Sequence, residues 1–156
     1  VASNERDADN MTDTLVTLSI YLLCGLCFVQ PTLNRSVVAG IFVFFIMSHE
    51  VLSYSFDGLM YYGSSALFDL LIILIITRIS TASRLCFQLQ LICLASIFIN
   101  ALGWYMWFDY RSPALYNWCF VALNFYAVYC MIAKEPKHGR IHPDSNSNCL
   151  VRSPTA

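Results

Sequence analysis

Charge is the scarcest commodity in this sequence. Asp, Glu, Lys and Arg make up 12% of its 156 residues, about half the share carried by an ordinary soluble domain. The hydrophobic fraction is 58% and the mean hydropathy +0.59. A soluble fold of this size has too small a core to hide that much apolar surface. Basic residues are equally thin. Nine Lys and Arg leave a net charge of −1, so no basic patch is present to neutralise phosphates, and nucleic acid is excluded as a partner. Alternation of period two is missing as well, which removes the transmembrane β-barrel.

Catalytic and cofactor chemistry is also poorly supplied. A haem held between two helices needs two opposed intramembrane histidines, and only His49 lies in an apolar segment. His49-Glu50 opens like a zinc-protease motif, but Ser53 stands where the second histidine belongs. His138 and His142 with Cys149 have a metal-ligand spacing; Gly139 and Pro143 interrupt the helix it would need, and a fourth ligand is missing. Neither a phosphate-binding glycine loop nor a G-x-S-x-G elbow occurs. The sequence therefore predicts a non-enzymatic protein with no cofactor and no metal.

Seven cysteines are present, but Cys24, Cys27, Cys86, Cys93, Cys119 and Cys130 sit in apolar segments. There they act as small, polarisable hydrophobes. The odd total of seven and the scatter argue against a disulfide framework. Cys24-Gly-Leu-Cys27 has thiol-exchange spacing, yet no second loop pair exists to relay electrons from it.

What the chain does have is five long apolar stretches, at residues 14–30, 37–54, 58–77, 85–108 and 114–133. Each approaches the ~20 residues a helix needs to cross about 30 Å of hydrocarbon. Lipid offers the backbone no partners, so each stretch must be helical. Pro31, Asp57–Gly58 and Ser112–Pro113 mark short turns, which lay consecutive helices antiparallel and adjacent. The fold predicted is all-α, a polytopic bundle of five transmembrane helices over residues 14–133. A flexible acidic lead (1–13) precedes it, with Val1 or Met11 as the start residue, and a flexible tail (134–156) follows. The lead has neither the basic region nor the cleavage site of a signal peptide, so the first stretch is read as a mature helix.

Charge asymmetry orients the bundle. With five crossings, one side carries Arg6 and Arg111, and the other carries the remaining seven Lys and Arg. Basic residues stay in the cytoplasm, which predicts an N-terminus outside, a C-terminus inside and a home in the cytoplasmic membrane. Tyr54, Tyr61, Trp104 and Trp107 cluster at the outer helix ends, as an interfacial aromatic belt does.

Five polar residues within the apolar stretches carry the functional expectation: Asp69, Glu50, His49, Asn100 and Asn124. At ~1.5 Å per residue, Glu50 lies about 6 Å and Asp69 about 18 Å below the outer boundary. Asn100 and Asn124 fall between, at about 12 and 15 Å. An ionised carboxylate at the bilayer centre costs at least ~2.5–3.5 kcal/mol, so Asp69 must face the bundle, a wet cavity or an interface. The functional reading is an ion or proton path with Glu50 and His49 at its entrance and Asp69 as its deepest site. The structural alternative is interhelical glue, with the asparagines fixing register. Spacing places Ser65 four residues before Asp69, and Ser96 four before Asn100, so each pair shares a helix face.

Two classes of function follow. The first is a homo-oligomeric conduit for ions, protons or small solutes, with the path expected between subunits. The second is a membrane protein that assembles laterally or engages a membrane-protein partner. The N-out, C-in plan with a short basic tail resembles that of some phage holins, which usually have fewer crossings, and implies lysis or superinfection exclusion. An accessory subunit of a larger membrane complex belongs to the same class.

Overall fold

The computed structural model describes residues 2–79 and 83–133, with side chains from residue 11 onward. Five helices fill it: α1 (Ala2–Phe28), α2 (Leu33–Leu52), α3 (Gly58–Ile79), α4 (Arg84–Phe108) and α5 (Ala114–Ile132), with a single 3₁₀ turn at Ser53–Ser55 after α2. All five are long and apolar enough to cross a membrane. The all-α polytopic bundle expected from the sequence is therefore the observed architecture. The tail, with His138, His142 and Cys149, lies outside the described residues.

Local chemistry sets the boundaries. The Thr32 hydroxyl accepts the Arg35 amide at the start of α2 (3.4 Å), and Ser83 accepts the Cys86 amide at the start of α4 (3.2 Å). Asp57 Oδ1 accepts the Met60 amide at the start of α3 (3.0 Å). Each satisfies one of the donors that the first turn of a helix leaves without an intrahelical partner. At the end of α4, Tyr110 takes a left-handed φ of 52°, and the Arg111 amide reaches back to the Met106 carbonyl (2.9 Å). That is a Schellman-type stop with tyrosine in the position glycine usually holds.

One boundary differs. α1 begins at Ala2 and takes in residues 2–13, which the apolar pattern leaves outside the first helix. The apolar pattern marks the lipid boundary and is blind to a helix that continues past it.

Consecutive helices pack side by side, and α1 also packs along α5, which closes the five into a ring. Its surface inverts that of a soluble bundle: Phe28, Phe44, Leu67, Leu74 and Phe98 point outward, while Asp69, Asn100, Asn124, Ser65 and Ser96 are buried. Toward the end holding the α1–α2 turn, the space between the helices is packed mainly with apolar side chains. Leu23, Ile76, Leu89, Cys93 and Ala127 have no exposed surface and belong to one packed cluster. Toward the other end, which holds Asp13 and the 3₁₀ turn, the packing opens.

Candidate functional site

The opening consists of two adjoining cavities. The deeper, about 50 Å³, has walls from all five helices, including Ile20, Phe42, His49, Asp69, Ser96 and Asn124. The shallower, about 210 Å³, lies among Asp13, Thr17, Glu50, Tyr61, Tyr116 and Asn117. Glu50 and Phe120 belong to both walls, so Glu50 stands where one cavity gives way to the other. A cavity needs only ~10–15 Å³ to hold a water, and these walls offer the polar partners a water requires. Among the described residues, no Lys or Arg lines either cavity.

Asp69 sits on the buried face of α3 at 8% exposure. Cys93 and Ser96 of α4 approach its carboxylate, but its Oδ2 is buried without any hydrogen-bond partner. A buried polar atom left unsatisfied carries its full desolvation cost. No other described side-chain nitrogen or oxygen is in that position.

Asn100 is the opposite case. At 1% exposure, its amide donates to Ser65 Oγ on α3 (2.9 Å) and to the Ser96 carbonyl (3.0 Å) and hydroxyl (3.3 Å) on its own helix. Its oxygen accepts from the Tyr116 hydroxyl on α5 (3.3 Å). One side chain thus ties three helices. Gly103, one turn further, allows the close approach: a Cβ there would come within 2.5 Å of the Tyr116 ring and 2.6 Å of Tyr62.

His49 is buried as well, against the rings of Tyr61 and Phe68. Its Nε2 lies 3.3 Å from the Tyr61 carbonyl and 3.3 Å from Ser64 Oγ, which ties α2 to α3. Of the five residues singled out by sequence, then, four line the deeper cavity: Asp69, Glu50, His49 and Asn124. Asn100 does not. It stands behind the wall and faces an apolar groove with Leu59, Ala66 and Trp104. The polar space is enclosed within one chain, where the sequence reading expects a path between subunits.

Three further residues join these walls. Asp13 enters the shallower cavity because α1 begins before its apolar stretch, and Thr12, Asp13, Val16, Thr17 and Ile20 fall at helical spacing on the cavity side. Tyr61, which sequence places in the aromatic belt, and Tyr116 line the same cavity. Elsewhere, the Cys27 thiol donates to the Leu23 carbonyl of its own helix (3.2 Å), and Cys24 and Cys27 are both free thiols. Among the described residues, no three His, Cys, Asp or Glu side chains are grouped to hold a metal. Neither a protein family, nor a curated protein, nor a solved structure matches this chain, so the chemistry of these two cavities is what bears on its function.

Proposed function

We propose that this is a non-enzymatic, multi-pass protein of the cytoplasmic membrane, with its N-terminus outside and C-terminus inside. It admits protons or small cations from outside to Asp69. Glu50 and Asp13 collect the cation at the mouth, and His49 and Asn124 flank its way inward. The orphaned Oδ2 of Asp69 carries this reading. A carboxylate kept merely as glue would spend both oxygens on neighbouring helices, as Asn100 spends its amide. An intramembrane acid that lines a polar cavity and keeps one oxygen without a protein partner is instead equipped to take a proton or cation.

The purified protein in liposomes tests it. Graded cation or proton flux that Asp69→Asn abolishes is the expected result. A folded Asp69→Leu protein that keeps its flux overturns the assignment.

One observation favours the second class of function. The half of the bundle beyond Asp69 is sealed by fully buried apolar side chains, so the chain as it stands leads nowhere beyond that residue. A holin-like protein assembling laterally in homo-oligomers, or a subunit blocking or supporting a membrane partner, needs no path through each copy. Abrupt, all-or-none collapse of the membrane potential on expression, in place of graded flux, would select it.

A further inference from the structure

The two cavities differ in width, wall and charge in a way that narrows the class of cation, a step that rests on the path to Asp69 just described. Carboxylates occur at successive levels: Asp13 and Glu50 around the wider space, Glu50 and Asp69 around the narrower. Between these levels the walls are aromatic and aliphatic. Tyr61 and Tyr116 flank the mouth, and Phe42, Phe68 and Ile72 flank the way to Asp69. Tyr62 stands edge-on to both Tyr61 and Tyr116, with ring centroids 5.3 and 5.2 Å apart, which steadies the aromatic wall.

A bare metal ion gains nothing from those apolar walls. An organic cation uses both features. Methylene groups gain from apolar burial, and ammonium groups gain from ring faces as well as carboxylates. The deeper cavity, about 50 Å³, has room for a few water-sized groups. An unbranched chain ending in –NH₃⁺ can donate hydrogen bonds to a carboxylate there; a quaternary trimethylammonium head has no N–H to donate. We infer that the site binds an unbranched aliphatic diamine or polyamine, its leading ammonium at the Asp69 carboxylate and a second ammonium held near Glu50 and Asp13. Primary amines are charged at neutral pH, so the ligand arrives as the polycation that these carboxylates favour, with no Lys or Arg among the described lining residues to oppose it. One of the three donors of –NH₃⁺ serves Asp69 and leaves two for Ser96, Asn124 or cavity water.

Calorimetric titration of the full chain in detergent with putrescine tests the inference. Butanediol serves as the neutral analogue, tetramethylammonium as the branched one, and sodium chloride at matched ionic strength as the screening control. Saturable putrescine binding is expected, with none for butanediol and no protection by salt. Asp69→Asn and Glu50→Gln should each weaken it about tenfold or more, while Asp109→Asn, remote in the α4–α5 turn, leaves it unchanged. Tetramethylammonium should bind more weakly and ignore Asp69→Asn, because it has no N–H to donate to that carboxylate. Putrescine affinity untouched by both variants overturns the inference, as does equal heat from salt, or tetramethylammonium binding tighter than putrescine. Should Asp69→Asn fail to fold, Glu50→Gln, at an exposed position, decides alone. Proton flux measured on the same preparation without amine separates the two ideas. Flux without amine binding sinks only the diamine, and amine binding without flux sinks only the conduit.

Discussion

Asp69 and Asn100 are buried to a similar degree, yet they differ in what surrounds their polar atoms. Asn100 has partners on three helices, whereas Asp69 keeps one oxygen without any. Opposite outcomes follow when each is replaced by leucine. Asp69→Leu removes an unsatisfied buried group and fills space beside a cavity, so it should stabilise the fold by about 1–3 kcal/mol while abolishing cation uptake. Thermal unfolding in detergent, paired with flux, checks this; loss of both together would mean Asp69 is structural. Asn100→Leu strands Ser65 and the Tyr116 hydroxyl, so it should cost roughly 1 kcal/mol and leave amine affinity within error. The standing of these residues was half legible in the sequence. A carboxylate or amide in an apolar stretch is conspicuous because lipid makes it costly. Whether its hydrogen bonds are met depends on side chains 35 and 16 residues away, which no local pattern carries.

Apart from the start of α1, which lies twelve residues before its apolar stretch, the helices were readable to within a few residues, because about twenty mostly apolar positions leave the backbone no other form. Their lateral order was readable only in part. Short turns make neighbours of α1 and α2, or α4 and α5, but the packing of α1 on α5 joins segments a hundred residues apart. One side chain that helps secure the bundle at the α1–α2 end is Arg35, which sequence alone marks as one more basic residue in a turn. It is 6% exposed and spreads its guanidinium over Gln30 Oε1 (3.1 Å) and the carbonyls of Met131 (3.3 Å) and Ala133 (3.2 Å). Those carbonyls end α5, where the helix dipole favours a cation; Nη2 donates to both while Nε serves Gln30, a division of donors the planar guanidinium allows. Arg35→Leu should therefore free the end of α5, at a cost on the order of 2 kcal/mol. Hydrogen exchange should quicken at residues 130–133 and stay unchanged around the Asp69 cavity. Arg35→Lys, with the charge but not the fork, should fall between. Uniform acceleration along all five helices would show that Arg35 holds the whole bundle, not one end.

At the scale of the molecule, the bundle is two unlike halves stacked along the helices: a polar, hollow half carrying every carboxylate of the cavities and a half packed mainly with apolar side chains such as Leu23, Ile76, Leu89, Cys93 and Ala127. Ile76 lies two turns beyond Asp69 on α3, and Leu89 two turns beyond Ser96 on α4, so both belong to the seal just past the deepest polar group. Water and ions do not cross a dry apolar constriction unless it is wetted. If the chain is a conduit, this seal is its closed gate, and conduction requires it to part. Replacing Ile76 and Leu89 together by serine puts hydroxyls where the two helices meet and lowers the cost of wetting. Each serine can bond back to its own helix, so the fold has a way to survive the change. The double variant should leak cations constitutively, with flux in liposomes above the unaltered chain and still suppressed when Asp69→Asn is added. A folded double variant that stays tight would mean that no route runs past Asp69 within one chain. The hollow half would then be a receptor for its cation, open to one side only, and any permeability on expression would have to come from assembly of several copies around a path of their own.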